Sequence, residues 1–119
     1  MRRHNFKKLR IWTEAMDLID ENYVLTKTLP DYERFGLRTQ MNRCSVSIAS
    51  NISEGSSKRT DKHFLKYLDD SLGSAFEWET QLNICLRQGF ISEERFKILE
   101  DKVQAVQSKI SNFMSTLDA

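Results

Sequence analysis

Between residues 96 and 117 seven apolar side chains, Phe96, Leu99, Val103, Val106, Ile110, Phe113 and Leu117, recur at spacings of 3, 4, 3, 4, 3 and 4. A helix that turns every 3.6 residues keeps such a row on one face, and a heptad row of this length is a seam that must pack against other helices. The rest of the chain offers no competing architecture. Its 4 glycines and 1 proline in 119 residues are too few for the many tight turns of an all-β fold. The length suits one hydrophobic core, so residues 1–119 are expected to form a single domain.

Three further helices precede the seam. Ile11, Ala15, Ile19 and Tyr23 lie four apart, flanked by Trp12, Met16, Leu18 and Leu25, and predict a helix over residues 10–28 that Pro30 stops. Leu37, Met41, Cys44, Ile48 and Ile52 predict a second over 35–55, closed by Gly55 in the left-handed conformation. Thr60 is a suitable N-cap for a third over 61–88, centred on Leu65, Leu68, Leu72, Ala75, Leu82 and Leu86 and ended by Gly89 with Phe90 behind it. Ser92, followed by Glu93 and Glu94, begins the fourth over 92–117. Short connections favour antiparallel neighbours, so the expected fold is all-α, an up-down-up-down four-helix bundle.

Two of these helices carry more apolar surface than one core needs. Trp12, Met16 and Tyr23 on the first, and Phe76 and Trp78 on the third, spread beyond a single stripe. Exposed, they would drive association, so these five residues are expected to contact another copy in a homo-oligomer. The competing reading half-buries them beneath long basic side chains.

Gln40, Arg43, Ser47, Asn51 and Glu54 project onto one strip beside the apolar face of the second helix, and Ser74, Glu77 and Gln81 form a similar strip on the third. The two strips are expected to meet as a structural polar network, with small residues allowing close approach. A ligand-binding or catalytic carboxylate pair, Glu54 with Glu77, is the other use of the same residues. Glu79 projects into the apolar arc and, if buried, would need a partner such as Arg43.

Chemistry-bearing motifs are sparse. Neither His4 nor His63 has a glutamate three positions earlier, so the Glu-x-x-His pairs of di-iron bundles are missing and no metal is expected. The glycines are too far apart for a phosphate-cradling loop, and nothing sets a histidine between a serine and an acid. No cofactor and no enzymatic activity are expected. Cys44 and Cys85 lie on or beside apolar lines in no metal spacing, which suits buried free thiols in a reducing cytoplasm. No apolar run reaches the roughly 20 residues of a membrane span, so neither membrane insertion nor a secretory leader is expected.

The net charge of +1 conceals an asymmetry. Arg2, Arg3, Lys7, Lys8 and Arg10 stand in the first ten residues without an acid, and Lys58, Arg59 and Lys62 surround the turn between the second and third helices. In an up-down-up-down bundle both segments fall at one end. That end would be a basic rim able to contact phosphates of RNA or DNA with little sequence preference. A protein-interaction scaffold, with the same bases merely solvated, is the alternative.

The stretches FKKLRIWTEAMDL, LPDYERFGLRTQMNR, SVSIASNISEG and GSAFEWETQL, in this order across nearly the whole chain, resemble a bacterial family of four-helix bundles first recognised as products of intervening sequences in 23S ribosomal RNA genes. Within SVSIASNISEG, Ser53 stands where that family would have alanine. The resemblance implies a ring-like homo-oligomer, most simply a homopentamer, without enzymatic activity. It also points toward RNA or DNA, because the genes sit in ribosomal RNA and a related bundle is an accessory protein of retroelement reverse transcriptases.

Overall fold

The computed structural model describes residues 4–118, and among these it has four α-helices and no strand. They are α1 (Arg10–Thr26), α2 (Leu37–Ser56), α3 (Asp61–Arg87) and α4 (Glu93–Asp118), with 3-10 turns at Phe6–Lys8 and Asp31–Glu33. The capping residues act as their types dictate. Thr60 Oγ1 accepts from His63 N at 3.2 Å and Ser92 Oγ from Arg95 N at 3.1 Å, each satisfying an amide that the helix start leaves orphaned. Gly89 takes φ 76°, and Phe90 N donates back to Cys85 O at 2.9 Å to close α3. α1 stops earlier than expected, at Thr26, where the chain turns ahead of Pro30, and α2 starts later, at Leu37.

Each helix packs on two others, α1 on α2 and α4, α3 on α2 and α4. Along α2 and α3, Met41 meets Cys85, Cys44 and Ser47 meet Ser74, Ile48 meets Ser71, and Gly55 lies against Phe64 and Tyr67. Along α1 and α4, Glu14 pairs with Lys109 and Glu21 with Arg95. The core of α3 runs Phe64, Leu68, Ser71, Ala75, Trp78, Leu82 and Cys85, all buried, so the stripe is rotated from the expected leucine line and Leu65, Leu72 and Leu86 sit only half-buried. That of α1 likewise runs Ile11, Ala15, Leu18, Asn22 and Leu25, leaving Ile19 and Tyr23 on its flank.

Gly55 does not close α2 in a left-handed conformation; it lies inside the helix and is buried. A Cβ there would come 2.7 Å from Tyr67 Cβ and 2.8 Å from Phe64 Cδ1, so the glycine is what lets α2 and α3 touch. Glu79 also departs from expectation. Its oxygens accept from Gln107 Nε2 at 2.8 Å and Gln104 Nε2 at 3.0 Å, both on α4, because the side chain leaves α3 on the flank opposite Arg43.

Trp78 is fully buried within the chain and therefore stands in the core, not at a surface that another copy could reach. Its indole Nε1 donates to Asn22 Oδ1 at 2.9 Å. Asn22 Nδ2 and Thr26 Oγ1 both donate to Asn42 Oδ1 at 2.8 Å, so one polar chain ties α1, α2 and α3 through the core.

Candidate nucleic-acid interface

The start of the described chain is tied down by aromatic contacts. Asn5 Oδ1 accepts from Lys7 N at 3.2 Å and shapes the 3-10 turn, and the Phe6 ring meets Trp12 edge-on at 5.2 Å. The His4 ring lies 5.1 Å from that of Phe64 and 5.9 Å from that of Phe113. These contacts join the N-terminal segment to the start of α3 and the end of α4. Lys7, Lys8 and Arg10 thereby come to the same end of the bundle as Lys58, Arg59 and Lys62; Arg2 and Arg3 lie outside the described residues.

Within this end, the cations differ in freedom. Lys58 Nζ sits over the Tyr67 ring at 5.0 Å, a cation–π contact that orients the turn without neutralising the charge. Arg10 Nε lies 3.8 Å from Glu14, whose other oxygen accepts from Lys109. Lys7, Lys8, Arg59 and Lys62 have no ion pair among the described residues. Sequence reasoning missed Lys66, which lines a groove of about 340 Å³ with Lys58, His63, Tyr67 and Asp70. Its position one helical turn beyond Lys62 was the available signal.

The polar strips meet, though not in full. Ser47 and Ser74 share a hydroxyl hydrogen bond of 2.9 Å, Asn51 Nδ2 donates to Ser47 O at 2.9 Å and to Ser47 Oγ at 3.0 Å, and Cys44 Sγ donates to Ser74 O at 3.1 Å. Gln40, Arg43 and Glu77 complete a groove of about 360 Å³ around these groups. Gln81 Nε2 reaches Glu77 Oε2 at 3.4 Å, while its Oε1 is buried without a hydrogen bond. Glu54 stays exposed and joins neither Glu77 nor the groove. Burial, assisted by the Glu77 charge, pushes the Cys44 thiol up to about 12, and burial with a smaller contribution from Glu33 pushes Cys85 up to about 11. Both cysteines are free and, at neutral pH, protonated and unreactive.

Of the residues expected at an oligomer contact, Met16, Tyr23 and Phe76 are 37%, 38% and 54% exposed, and Trp12 is half-buried. Trp12, Met16, Ile19 and Tyr23 form a stripe on the flank of α1 turned away from Glu14 and Glu21, hence on its α2 side. Phe76 shares the opposite flank of the molecule with Leu65 and Leu72, which border a groove against Met114 of α4.

A family model described as 23S rRNA-intervening sequence protein matches residues 7–112. The chain belongs to that family. Every stretch on which the resemblance was based overlaps the matched region, including the Gly55 contact and both polar strips. No match was found among curated proteins. A solved structure from Bacteroides thetaiotaomicron, a protein of unknown function in the S23 ribosomal protein family, superposes with a TM-score of 0.81. It is 20% identical, and the match covers 87% of this chain and 97% of that one. This similarity establishes the shared fold of the family and carries no activity with it.

Proposed function

We propose that this protein is a non-enzymatic, antiparallel up-down-up-down bundle that assembles into a ring of identical copies and binds RNA through its basic end. The antiparallel reading is supported by the contact order, in which rising numbers on α2 meet falling numbers on α3, and rising numbers on α1 meet falling numbers on α4. Self-association is supported by two different apolar flanks, Met16 with Tyr23 on one and Phe76 with Leu72 on the other. Unlike patches that pair head to tail generate rings when the rotation closes, and five copies are the number the family resemblance suggests. Free Cys44 and Cys85 suit a cytoplasmic setting.

The observation that carries the nucleic-acid reading is the seating of His4 against Phe64 and Phe113, which gathers Lys7, Lys8, Arg10, Lys58, Arg59 and Lys62 at one end. A ring would repeat that end around one rim and multiply weak phosphate contacts by avidity. The test is fluorescence anisotropy of a labelled structured RNA over a series of salt concentrations. Binding that weakens steeply with salt, and a Lys58→Glu/Arg59→Glu variant that abolishes it, are the expected results. Salt-independent affinity, or a variant that binds as well as the parent, rejects the rim.

A scaffold role is the second reading, favoured by one observation. Phe35 is 88% and Tyr32 76% exposed in the α1–α2 connection, at the end away from the bases, where large aromatic surface suits a protein partner. No RNA binding at low salt, together with a loss of protein partners in a Tyr32→Ser/Phe35→Ser variant, would establish it.

A further inference from the structure

Where α1 begins and α4 ends, a cleft of about 300 Å³ opens at the basic end of the bundle. Its apolar lining is Leu9, Ile11 and Phe113, its charged lining Lys8, Arg10 and Lys109, and one amide, Asn112, completes it. The cleft lies beside the rim of the proposed function and was not among the features expected from sequence. Phe113 is half-buried; Phe64 meets it at 5.6 Å and His4 at 5.9 Å, so its ring is held in place. Lys8 has no side-chain partner among the described residues, whereas Arg10 and Lys109 share Glu14 and keep a net positive charge between them.

We infer that this cleft receives one unstacked base of single-stranded RNA. The inference rests on the RNA reading above and specifies which form of RNA the site takes. An apolar floor with an aromatic ring offers a base a stacking surface, and the cations at the lip match the flanking phosphates. Asn112 carries both a donor and an acceptor, as the edge of a base requires. The volume stands at the lower end of small-ligand pockets, which fits one heterocycle and not a helix. Duplex RNA keeps its bases stacked and cannot use the cleft.

Charge alone predicts the opposite preference. A duplex has the denser phosphate array, so a purely electrostatic rim binds it at least as well as a single strand. The test therefore compares a labelled ten-nucleotide single strand with a duplex of the same sequence, each over the same series of salt concentrations, using the full chain. The single strand is expected to bind at least tenfold tighter. Asn112→Met, which fills the cleft from an exposed position with an uncharged side chain that has no planar face to stack on, should erase that preference and leave duplex affinity unchanged. Asn112→Ala should reduce it a few-fold, with a thermal melt confirming that both variants fold. Equal affinity for the two RNAs, or a preference that survives Asn112→Met, overturns the cleft while leaving the rim standing. Absence of salt-dependent binding to either RNA overturns the rim, and the cleft with it.

Discussion

Replacing Gly55 by alanine tests the packing argument with the smallest possible change. The new methyl group would stand 2.7 Å from Tyr67 Cβ and 2.8 Å from Phe64 Cδ1, against the roughly 3.5–4.0 Å of an ordinary carbon contact. Tyr67 Cβ is fixed to its backbone, and Phe64 is buried between Gly55, His4 and Phe113, so neither neighbour can turn away. The helices must separate by about an ångström. Overpacking of this kind costs about 1–3 kcal/mol, and the better helix propensity of alanine offsets about 1 kcal/mol of it. Separation also stretches the Ser71 Oγ to Ile48 O bond of 2.7 Å and the Cys44 to Ser74 bond of 3.1 Å on the same seam. The expected net loss is about 1–2 kcal/mol. Gly73→Ala is the control, since nothing lies within 4 Å of a Cβ there and it should gain up to about 1 kcal/mol. Urea unfolding at one fixed protein concentration reads both variants. A Gly55→Ala protein as stable as the parent would refute the reasoning, because propensity would then have outweighed the clash.

Three further outcomes are expected. Asn22→Ala removes the acceptor of the buried Trp78 N–H and the donor to Asn42, and should lower unfolding free energy by about 1–3 kcal/mol, measured by urea titration with tryptophan fluorescence. A Met16→Glu/Phe76→Glu variant places charge on both apolar flanks and should run as a folded 14.0 kDa monomer in light scattering, whereas a parent of that same mass would remove the ring proposal. For the thiols, folded values near 12 and 11 exceed the ordinary 9.0, so the folded state holds more protons. Their stabilisation is then intact below about pH 9 and declines as pH rises through the folded values, by about 1.4 kcal/mol per unit for each thiol; a Cys44→Ala/Cys85→Ala variant with an equally steep alkaline decline would contradict this.

The four helices were legible because α4 carries an unbroken apolar heptad and because Thr60, Gly89 and Ser92 are capping types at the positions where caps are needed. The rotation of α1 and α3 was not, since Asn22 and Ser71 occupy core positions of their heptads. A hydrophobic pattern skips such residues and settles on the neighbouring Ile19, Tyr23 and Leu65 instead. Only the tertiary partners, Trp78 for Asn22 and the Ile48 carbonyl for Ser71, make those polar positions tolerable inside. The same blindness sent Trp78 to a surface. For the candidate interface, charge counting located the bases, and the helix order placed them at one end. The cleft at Asn112 escaped because Leu9 and Asn112 are about a hundred residues apart and neither stands out within its own helix.

Gly55 connects these two levels. Its missing side chain lets the end of α2 rest on Phe64 and Tyr67. Phe64 in turn receives the His4 ring, which seats the N-terminal bases, and Tyr67 lies beneath the Lys58 ammonium, which orients the α2–α3 turn. The packing of one glycine therefore sets the geometry of both halves of the basic end. Added bulk at this position moves the two aromatic rings together, so under the proposed RNA-binding role Gly55→Ala should weaken RNA affinity as well as stability although no charge has changed. Charge reversal at Arg59 should do the converse, because that side chain is exposed and has no ion pair. Affinity falls there and stability holds. A Gly55→Ala protein that loses stability yet binds RNA like the parent would separate the rim from the helix contact beneath it, and would show that the bases act as independent charges and not as a surface shaped by the fold.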